Sequence, residues 1–589
     1  MKLRNLLAAA AMLAAAGSAS AQDPYMHIFT TDTVVVREEN PYGGYSEKYL
    51  GKFSSIPMSA IDSTRFLKQN GEFFRMRVQY TNAEGKSIRS QTYLKVLRKL
   101  TVGANPATFN FSIPSNPALD DVQSKTEYLD ADLTIEGFGA CDDFSGTAKI
   151  RGRGNSTWNM PKKAYRIKLP EKTKLCGFRK AKNYVLLANY IDLSMMRNEV
   201  AALTSQLVEM PYPTHAKPVN VYFNDKYKGS YMLMEKVGIN NGSVNIPAAQ
   251  EAESIMFELD VNYDEELRSI SPRFHLPLMH KDPDAPADPA EAKQWFADWA
   301  DDFAQMEQAV AEGRNIGDYV DYSTLAKFLI VFNLACNQEI NHPKSIYLYK
   351  TRGGKYQFGP CWDFDWAFGY SPTYRATDGN SLSEQEAQEL IAAARKYAEE
   401  TFGPTSYYQW FEFNGDWLLW FGGNDFLAQT SDGWVQWPWG KTNYAPTYNN
   451  YLLGTGKNNG NSSNEYFNRV GNGGEFFLSI IMDNPEFMAV YKDEWTKFRN
   501  NIDAFWDAFN DYARQLEPSA EKNHTVWPYA YATPADEELR PLTDGSYAGA
   551  IDALRRWLEL RLDFMNDESK NYGLFDPNIN YQRGQLSTK

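Results

Sequence analysis

The stretch from Tyr322 to Trp366 constrains this chain more than any other. Tyr322 to Ala335 is apolar almost throughout, which predicts a helix. It leads directly into Asn337-Gln338-Glu339-Ile340-Asn341-His342-Pro343, a polar loop that also brings in Lys344. Ile346-Tyr347-Leu348-Tyr349 then reads as a strand, and Arg352-Gly353-Gly354-Lys355 as the turn that sends the chain back. The return leg ends in Trp362-Asp363-Phe364-Asp365-Trp366. If Lys355 to Trp366 is extended, side chains alternate, so Asp363 and Asp365 share one face and the aromatic residues the other. Two carboxylates on one face repel and are costly to desolvate unless a cation, a proton or a donor cluster lies between them. The pattern predicts a metal pair, with the Glu339 loop meeting it at the same end of adjacent strands. Glu339 is the candidate base or hydroxyl-orienting carboxylate. Asp363 and Asp365, with Asn341 as a further oxygen donor, are the candidate ligands for Mg2+, a hard cation that prefers oxygen.

The rest of the chain limits what such a centre can belong to. At 589 residues it exceeds one small domain, and 43% hydrophobic with 14% aromatic residues predicts an ordered globular protein. A net charge of −14 argues against nucleic acid or an anionic membrane as partner of the whole protein. The N-terminus reads as a secretory signal of bacterial type: Lys2 and Arg4, an apolar run Leu6 to Ala16, and Ala19-Ser20-Ala21 before Gln22. An exported protein (periplasmic, at the cell surface or secreted) is expected, without a transmembrane segment in the mature chain. Cys141, Cys176, Cys336 and Cys361 form no CxxC clamp; one disulfide and buried thiols are both open. Six histidines without an HExxH pair argue against zinc.

Along the chain, residues 1–21 are the signal and 22–100 a small β-rich module, with strand-like runs at Thr33–Val36, Phe73–Val78 and Thr92–Leu97. Thr101 to Pro117 reads as a linker into a main body over 105–370. There a helix is expected from Leu193 to Met210, capped by Asp192 or Ser194 and stopped by Pro211. Val219–Phe223 and Ser230–Met234 read as a hairpin joined by a turn over 224–229. Residues 371–475 are an insertion holding Trp410, Trp417, Trp420, Trp434, Trp437 and Trp439, then a Gly/Asn-rich tail from Gly454 to Ser463. Residues 476–589 read as helical. One helix starts at Asn484-Pro485 and carries aromatic residues through Phe509; another spans Tyr547 to Met565.

Three further constellations stand out. Arg151-Gly152-Arg153-Gly154-Asn155-Ser156-Thr157-Trp158 with Lys162-Lys163 combines glycines, which let backbone N–H groups approach an anion, with positive charge. It is neither a Walker A loop nor GxGxxG, and a glycine turn with solvated basic residues explains it about as well. In the following strand, Arg166 and Lys168 share a face. Arg197 and Asn198 open a helix where the dipole disfavours a cation, so Arg197 needs a carboxylate or phosphate partner. Glu235 at the end of the hairpin either bonds a ligand or pairs with a neighbour.

Taken in order, these elements resemble the CotH kinase family of spore-coat-type atypical kinases. The matching pieces are Gly152–Trp158 with Lys162-Lys163 and Tyr165–Leu169, Leu187–Asp192 with Arg197-Asn198, Tyr222–Glu235, and Pro360–Asp363 with Phe368-Gly369. The resemblance covers roughly residues 105 to 370. It implies an α+β fold with a protein-kinase-like bilobal core and a helical C-terminal part, which binds ATP and Mg2+ and phosphorylates Ser or Thr on protein. On that view Arg153, Asn155, Lys162, Lys163 and Lys168 serve the nucleotide phosphates, and Arg197 supports them. Glu235 lies near the segment linking the lobes, and Asp363 is the metal-binding aspartate. One position departs from the family: its catalytic Asp falls on Glu339, one methylene longer.

Two other readings compete. A secreted protein with a degenerate, non-catalytic CotH fold would bind surface glycan or protein, the β module and the six tryptophans offering aromatic platforms to sugar rings. Alternatively, Glu339, Asp363 and Asp365 hold Ca2+ purely for structure.

Overall fold

A computed structural model describes most of residues 25–372 and 473–567, with a set of strands between residues 380 and 438 and a few residues around Tyr448. The signal stretch, the Gly/Asn-rich tail, Asn155, Asn341 and His342 lie outside the described residues, as do the side chains of the six tryptophans. The chain mixes helices with several sheets and divides into two compact units. The first comprises Met1–Ala188, Lys217–Met234 and Phe509–Tyr529; the second comprises Asn189–Ala216, Glu235–Ala508 and Ala530–Lys589.

The first unit opens with two small sheets. One orders Phe53–Pro57, Tyr25–Thr30 and Leu97–Gly103; the other has five strands, including Ile61–Gln69, Glu72–Thr81 and Ser87–Tyr93. Met26, Ile28, Ile56, Met76, Val78 and Leu97 form a buried core for them. The expected run Thr92–Leu97 is two strand ends separated by a turn, with the Val96 amide donating to Tyr93 O.

A closed barrel follows, built from β1 (Ala107–Ser112), β2 (Leu129–Glu136), β3 (Phe144–Arg153), β4 (Ala164–Thr173), β5 (Ala181–Leu187), β6 (Ala216–Phe223) and β7 (Lys226–Glu235). Their order is β2-β3-β4-β5-β7-β6-β1, and β1 closes the ring by pairing antiparallel to β2 and parallel to β6. The expected linker therefore contains a barrel strand. Phe109 and Phe111 alternate inward along it, a period that a polar stretch of Thr, Asn and Ser masks in the sequence. The β6–β7 turn is tighter than expected: Asn224 and Asp225 take φ of 47° and 62°, the two left-handed positions of a type I′ hairpin. A disulfide joins Cys141 and Cys176.

In the second unit, β8 (Ser254–Leu259), β9 (Arg268–Ile270), β10 (Pro277–Asp282), β11 (Ile346–Thr351) and β12 (Gln357–Phe358) form a sheet of order β9-β10-β8-β11-β12. Helix α1 (Arg197–Leu207) is shorter than expected, because Asp192 and Ser194 act ahead of it rather than at its first turn. Helix α2 (Tyr322–Ala335) forms as the apolar run predicts, buried on all sides and capped by Asp321, whose carboxylate accepts from the Thr324 amide at 2.9 Å. The aromatic run expected as one helix is two, α3 (Pro485–Asn500) and Ile502–His524, broken at Asn501. Helix α4 (Tyr547–Asn566) ends the described chain. Among the described residues no helix is long and apolar enough to cross a membrane.

Candidate functional site

The second unit gathers the acidic residues around the end of α2. The helix stops at Cys336, which takes a left-handed φ of 46°, and the chain turns through a short 3-10 segment, Gln338–Ile340. Asn337 staples this turn to the Trp362–Trp366 loop: its Nδ2 donates to Asp363 O at 3.0 Å while its Oδ1 accepts from the Glu339 amide at 3.1 Å. Glu339 is thereby held inside, 8% exposed, and its Oε2 has no hydrogen-bond partner. Lys344, equally buried, comes to 3.7 Å from Glu339 Oε1.

The expected extended return leg does not form. Only Gln357 and Phe358 pair with β11, and beyond them Asp363 takes a left-handed φ of 66° while Asp365 sits in a turn. Strand alternation therefore does not set the two carboxylates side by side. Each has its own anchor. Ser345 Oγ lies 3.4 Å from Asp363 Oδ2, and Asn198 on α1 donates to the Asp365 carboxylate. Asn198 also accepts from the Phe364 amide at 2.8 Å, so one buried amide fixes the backbone and side chain of the loop together.

Asp260, just past β8, is the member that sequence reasoning missed. Its Oδ2 accepts from the Ser345 amide at 3.1 Å, and its Oδ1 from the Asn262 amide at 2.8 Å. An aspartate at the end of an apolar strand carries no local signal. Only the pairing of β8 with β11, whose residues lie some ninety positions later, brings it to Ser345.

The electrostatics follow from this packing. Burial pushes the Glu339 carboxyl up to about 8; Lys344 opposes the shift, and Asp363, Asp260 and Asp365 add to it. Burial, with the charge of Glu258, likewise raises Asp260 to about 7. Burial alone would lower the Lys344 ammonium, but Glu339, Asp260 and Asp363 outweigh that and leave it above its ordinary value. The centre is thus rich in carboxylates that resist ionising together, with one buried lysine among them.

The partner that Arg197 needs is Asp192. Their Nε–Oδ1 separation is 3.8 Å, and Arg197 Nη1 also donates to Asp365 O at 3.4 Å. Asp192 accepts in addition from the Arg197 amide at 2.9 Å and from the Ser194 amide and hydroxyl at 2.9 and 2.6 Å. An Asp192→Ala change leaves these donors buried and unmatched. It is expected to lower stability by about 2–3 kcal/mol in urea unfolding. Glu235 is engaged by His215, with Nδ1 at 3.1 Å from Oε1 and the His215 amide donating to Oε2 at 3.3 Å.

The basic residues predicted for phosphates belong to the first unit. Lys162 is fully buried, its ammonium donating to Ala188 O at 2.7 Å and to Ser230 O, and burial pushes it well below its ordinary value. Lys163 donates to Trp158 O at 2.6 Å and lies against the Trp158 ring. Lys168 is exposed on β4 and shares a face with Arg166, while Arg153 is half-buried. Gly152 has a packing reason: a side chain there would run into the Trp158 ring and Ser124 O.

Fold and site together define a mixed helix-and-sheet protein with a buried carboxylate–lysine centre. Residues 150–412 match the family model for CotH kinase protein, and that stretch holds the whole Glu339 cluster. Over those residues the chain is similar to the CotH kinase family. No curated protein matches it.

Proposed function

We propose that this chain is an exported CotH-like kinase with a kinase-like bilobal core, which binds ATP with Mg2+ and transfers phosphate to a Ser or Thr hydroxyl of protein. The observation that carries the reading is Glu339, a buried carboxylate with an unpartnered oxygen, set among Asp363, Asp365 and Lys344 within the family-matched stretch. Perturbed carboxylates of this kind mark sites that await a cation or a proton. Among the described residues no group of three or more His, Cys, Asp or Glu side chains is set to hold a metal by itself. That suits Mg2+ arriving on a nucleotide, which needs one or two protein carboxylates beside phosphate and water. Asp363 and Asp365 would hold it, with Asn341 as a further oxygen donor.

Bound Mg2+ would neutralise charge on the transferring phosphoryl group. Glu339 would orient the acceptor hydroxyl and take its proton as the new O–P bond forms and ADP leaves. Asn198 and Asn337 keep the Asp363–Asp365 loop in place for this. Arg153, Lys163 and Lys168, with Asn155, are the groups proposed for the phosphates, whereas the enclosed Lys162 suits a structural strut. The Cys141–Cys176 disulfide supports export to an oxidising compartment.

Calorimetry with Mg-ATP tests the reading. Heat of binding is expected for the wild type and not for Asp363→Ala, while Glu339→Gln still binds but no longer labels a protein acceptor. Absence of binding to the wild-type chain would sink the proposal.

A further inference from the structure

The N-terminal module departs from the rest of the chain in charge. Residues 25–103 hold twelve Lys or Arg against seven Asp or Glu, in a protein whose totals are 60 and 74. The excess is not spread evenly. In the five-stranded sheet, Met76 and Val78 face the core, so Arg75, Arg77 and Gln79 face out. Cross-strand register places Arg65 opposite Arg77, Arg77 opposite Gln91, Gln79 opposite Arg89, and Arg75 opposite Tyr93. Four arginines thus share one face of three strands. At the outward positions Ser63, Arg65, Leu67, Arg75, Arg77, Gln79, Ser87, Arg89, Gln91 and Tyr93 there is no acid.

Like charges directly opposite each other on neighbouring strands are destabilising. Arg65 and Arg77 nevertheless stand as such a pair, and neither has an ion-pair or hydrogen-bond partner among the described residues. Arg75 is differently placed. Its guanidinium donates to Gln91 Oε1 and to the Tyr93 hydroxyl, both at 2.6 Å, and stacks 4.4 Å from the Tyr93 ring centre. Tyr93 is among the few exposed large aromatics of the described residues, at 46%. An arginine laid over one face of a half-exposed ring, next to two arginines without a partner among the described residues, is a surface suited to a ligand with both charge and flat apolar faces.

We propose that this sheet face binds an acidic polysaccharide, one whose sugar rings carry carboxylate or sulfate groups. The arginine forks match such anions bidentately, and Tyr93 offers its ring to the C–H face of a sugar. A bare phosphate would use the charge and leave the exposed ring idle, whereas single-stranded nucleic acid, whose bases stack on aromatic rings, is the competing polyanion that the test separates. The inference rests on the N-terminal module alone and is independent of the kinase reading.

The test is affinity gel electrophoresis of the full chain through gels cast with polygalacturonate, neutral dextran or single-stranded DNA, with thermal melting to confirm folding. Polygalacturonate is expected to retard the wild type and dextran to leave it unaffected. The Arg65→Gln/Arg77→Gln variant should bind roughly tenfold more weakly. Tyr93→Ala should weaken binding several-fold while leaving the net charge unchanged. Arg77→Lys, the milder variant, should fall between wild type and the double variant. Unretarded wild type, or a folded double variant that binds as tightly as wild type, would overturn the proposal. Stronger retardation by single-stranded DNA than by polygalacturonate would also overturn it, in favour of nucleic acid.

Discussion

Replacing Lys344 with Met is expected to cost about 3–5 kcal/mol of unfolding free energy near pH 8, the penalty for leaving buried charge without its partner. The lysine sits among Glu339, Asp260 and Asp363, and it is the cation that lowers the carboxyl pKa of both Glu339 and Asp260. Without it those acids either ionise against one another or remain protonated, and both outcomes favour the unfolded chain at alkaline pH. The cost should shrink near pH 5. The folded-state values of about 8 for Glu339 and about 7 for Asp260 lie above the ordinary carboxylate range. Stability from such raised groups is fully present below their unfolded values and is lost as pH rises through the folded ones. Lys344 limits that loss, so its removal is felt most where the acids would be charged. Urea unfolding at the two pH values measures the difference. An equal loss at both would mean that Lys344 matters through packing rather than charge.

Arg561→Met is expected to be comparably severe, at about 3–5 kcal/mol. Arg561 on α4 is completely buried. Its Nε donates to Asn333 O at 2.9 Å, its Nη2 to Asn333 Oδ1 at 2.7 Å, and its Nη1 to Tyr448 O at 2.9 Å. Asn333 lies within the last turn of α2, immediately before the Glu339 loop, so the C-terminal helix fixes the element that aims the catalytic candidate. Methionine fills similar volume but removes all three of these hydrogen bonds, including the donor to the buried Asn333 Oδ1. Thermal unfolding of the variant checks the stability. Restored stability in an Arg561→Lys protein would show that a single charge suffices and that the fork geometry does not matter.

What the sequence made legible was local. Helix α2, the strand after the Glu339 loop, the hairpin of β6 and β7 and helix α4 all announce themselves through periodicity, caps and turn residues. The Trp362–Trp366 loop was misread because alternation was assumed where the chain is irregular. Asp363 at positive φ and Asp365 in a turn are conformations that aspartate tolerates but that no periodic pattern reports. Asp260 was out of reach for a different reason, and Asp192, expected as the cap of a helix from Leu193, instead serves the Arg197 amide from a loop ahead of α1. Their meaning depends on partners brought in by β-pairing and by a loop that precedes its helix. Ala107–Ser112 looked like a linker because only its inward half is apolar.

The make-up of the first unit bears on how this protein can be handled and how it must fold. Its barrel strands are all synthesised by residue 235, yet several of their polar groups are satisfied by residues almost three hundred positions later. Asn523 accepts from the Ser230 amide at 3.1 Å, Ser519 donates to Asn220 Oδ1 at 2.8 Å, and Trp527 Nε1 donates to Lys228 O at 2.7 Å. A fragment trimmed to the family-matched residues 150–412 would lack these groups as well as strands β1 and β2. It would be an open sheet with bare edges, the geometry that invites aggregation. Nor can the emerging chain finish the barrel unit as it leaves the ribosome. The native state of this unit has to wait for Ile502–His524 and Trp527 to be made, so the barrel is completed only after nearly the whole chain exists.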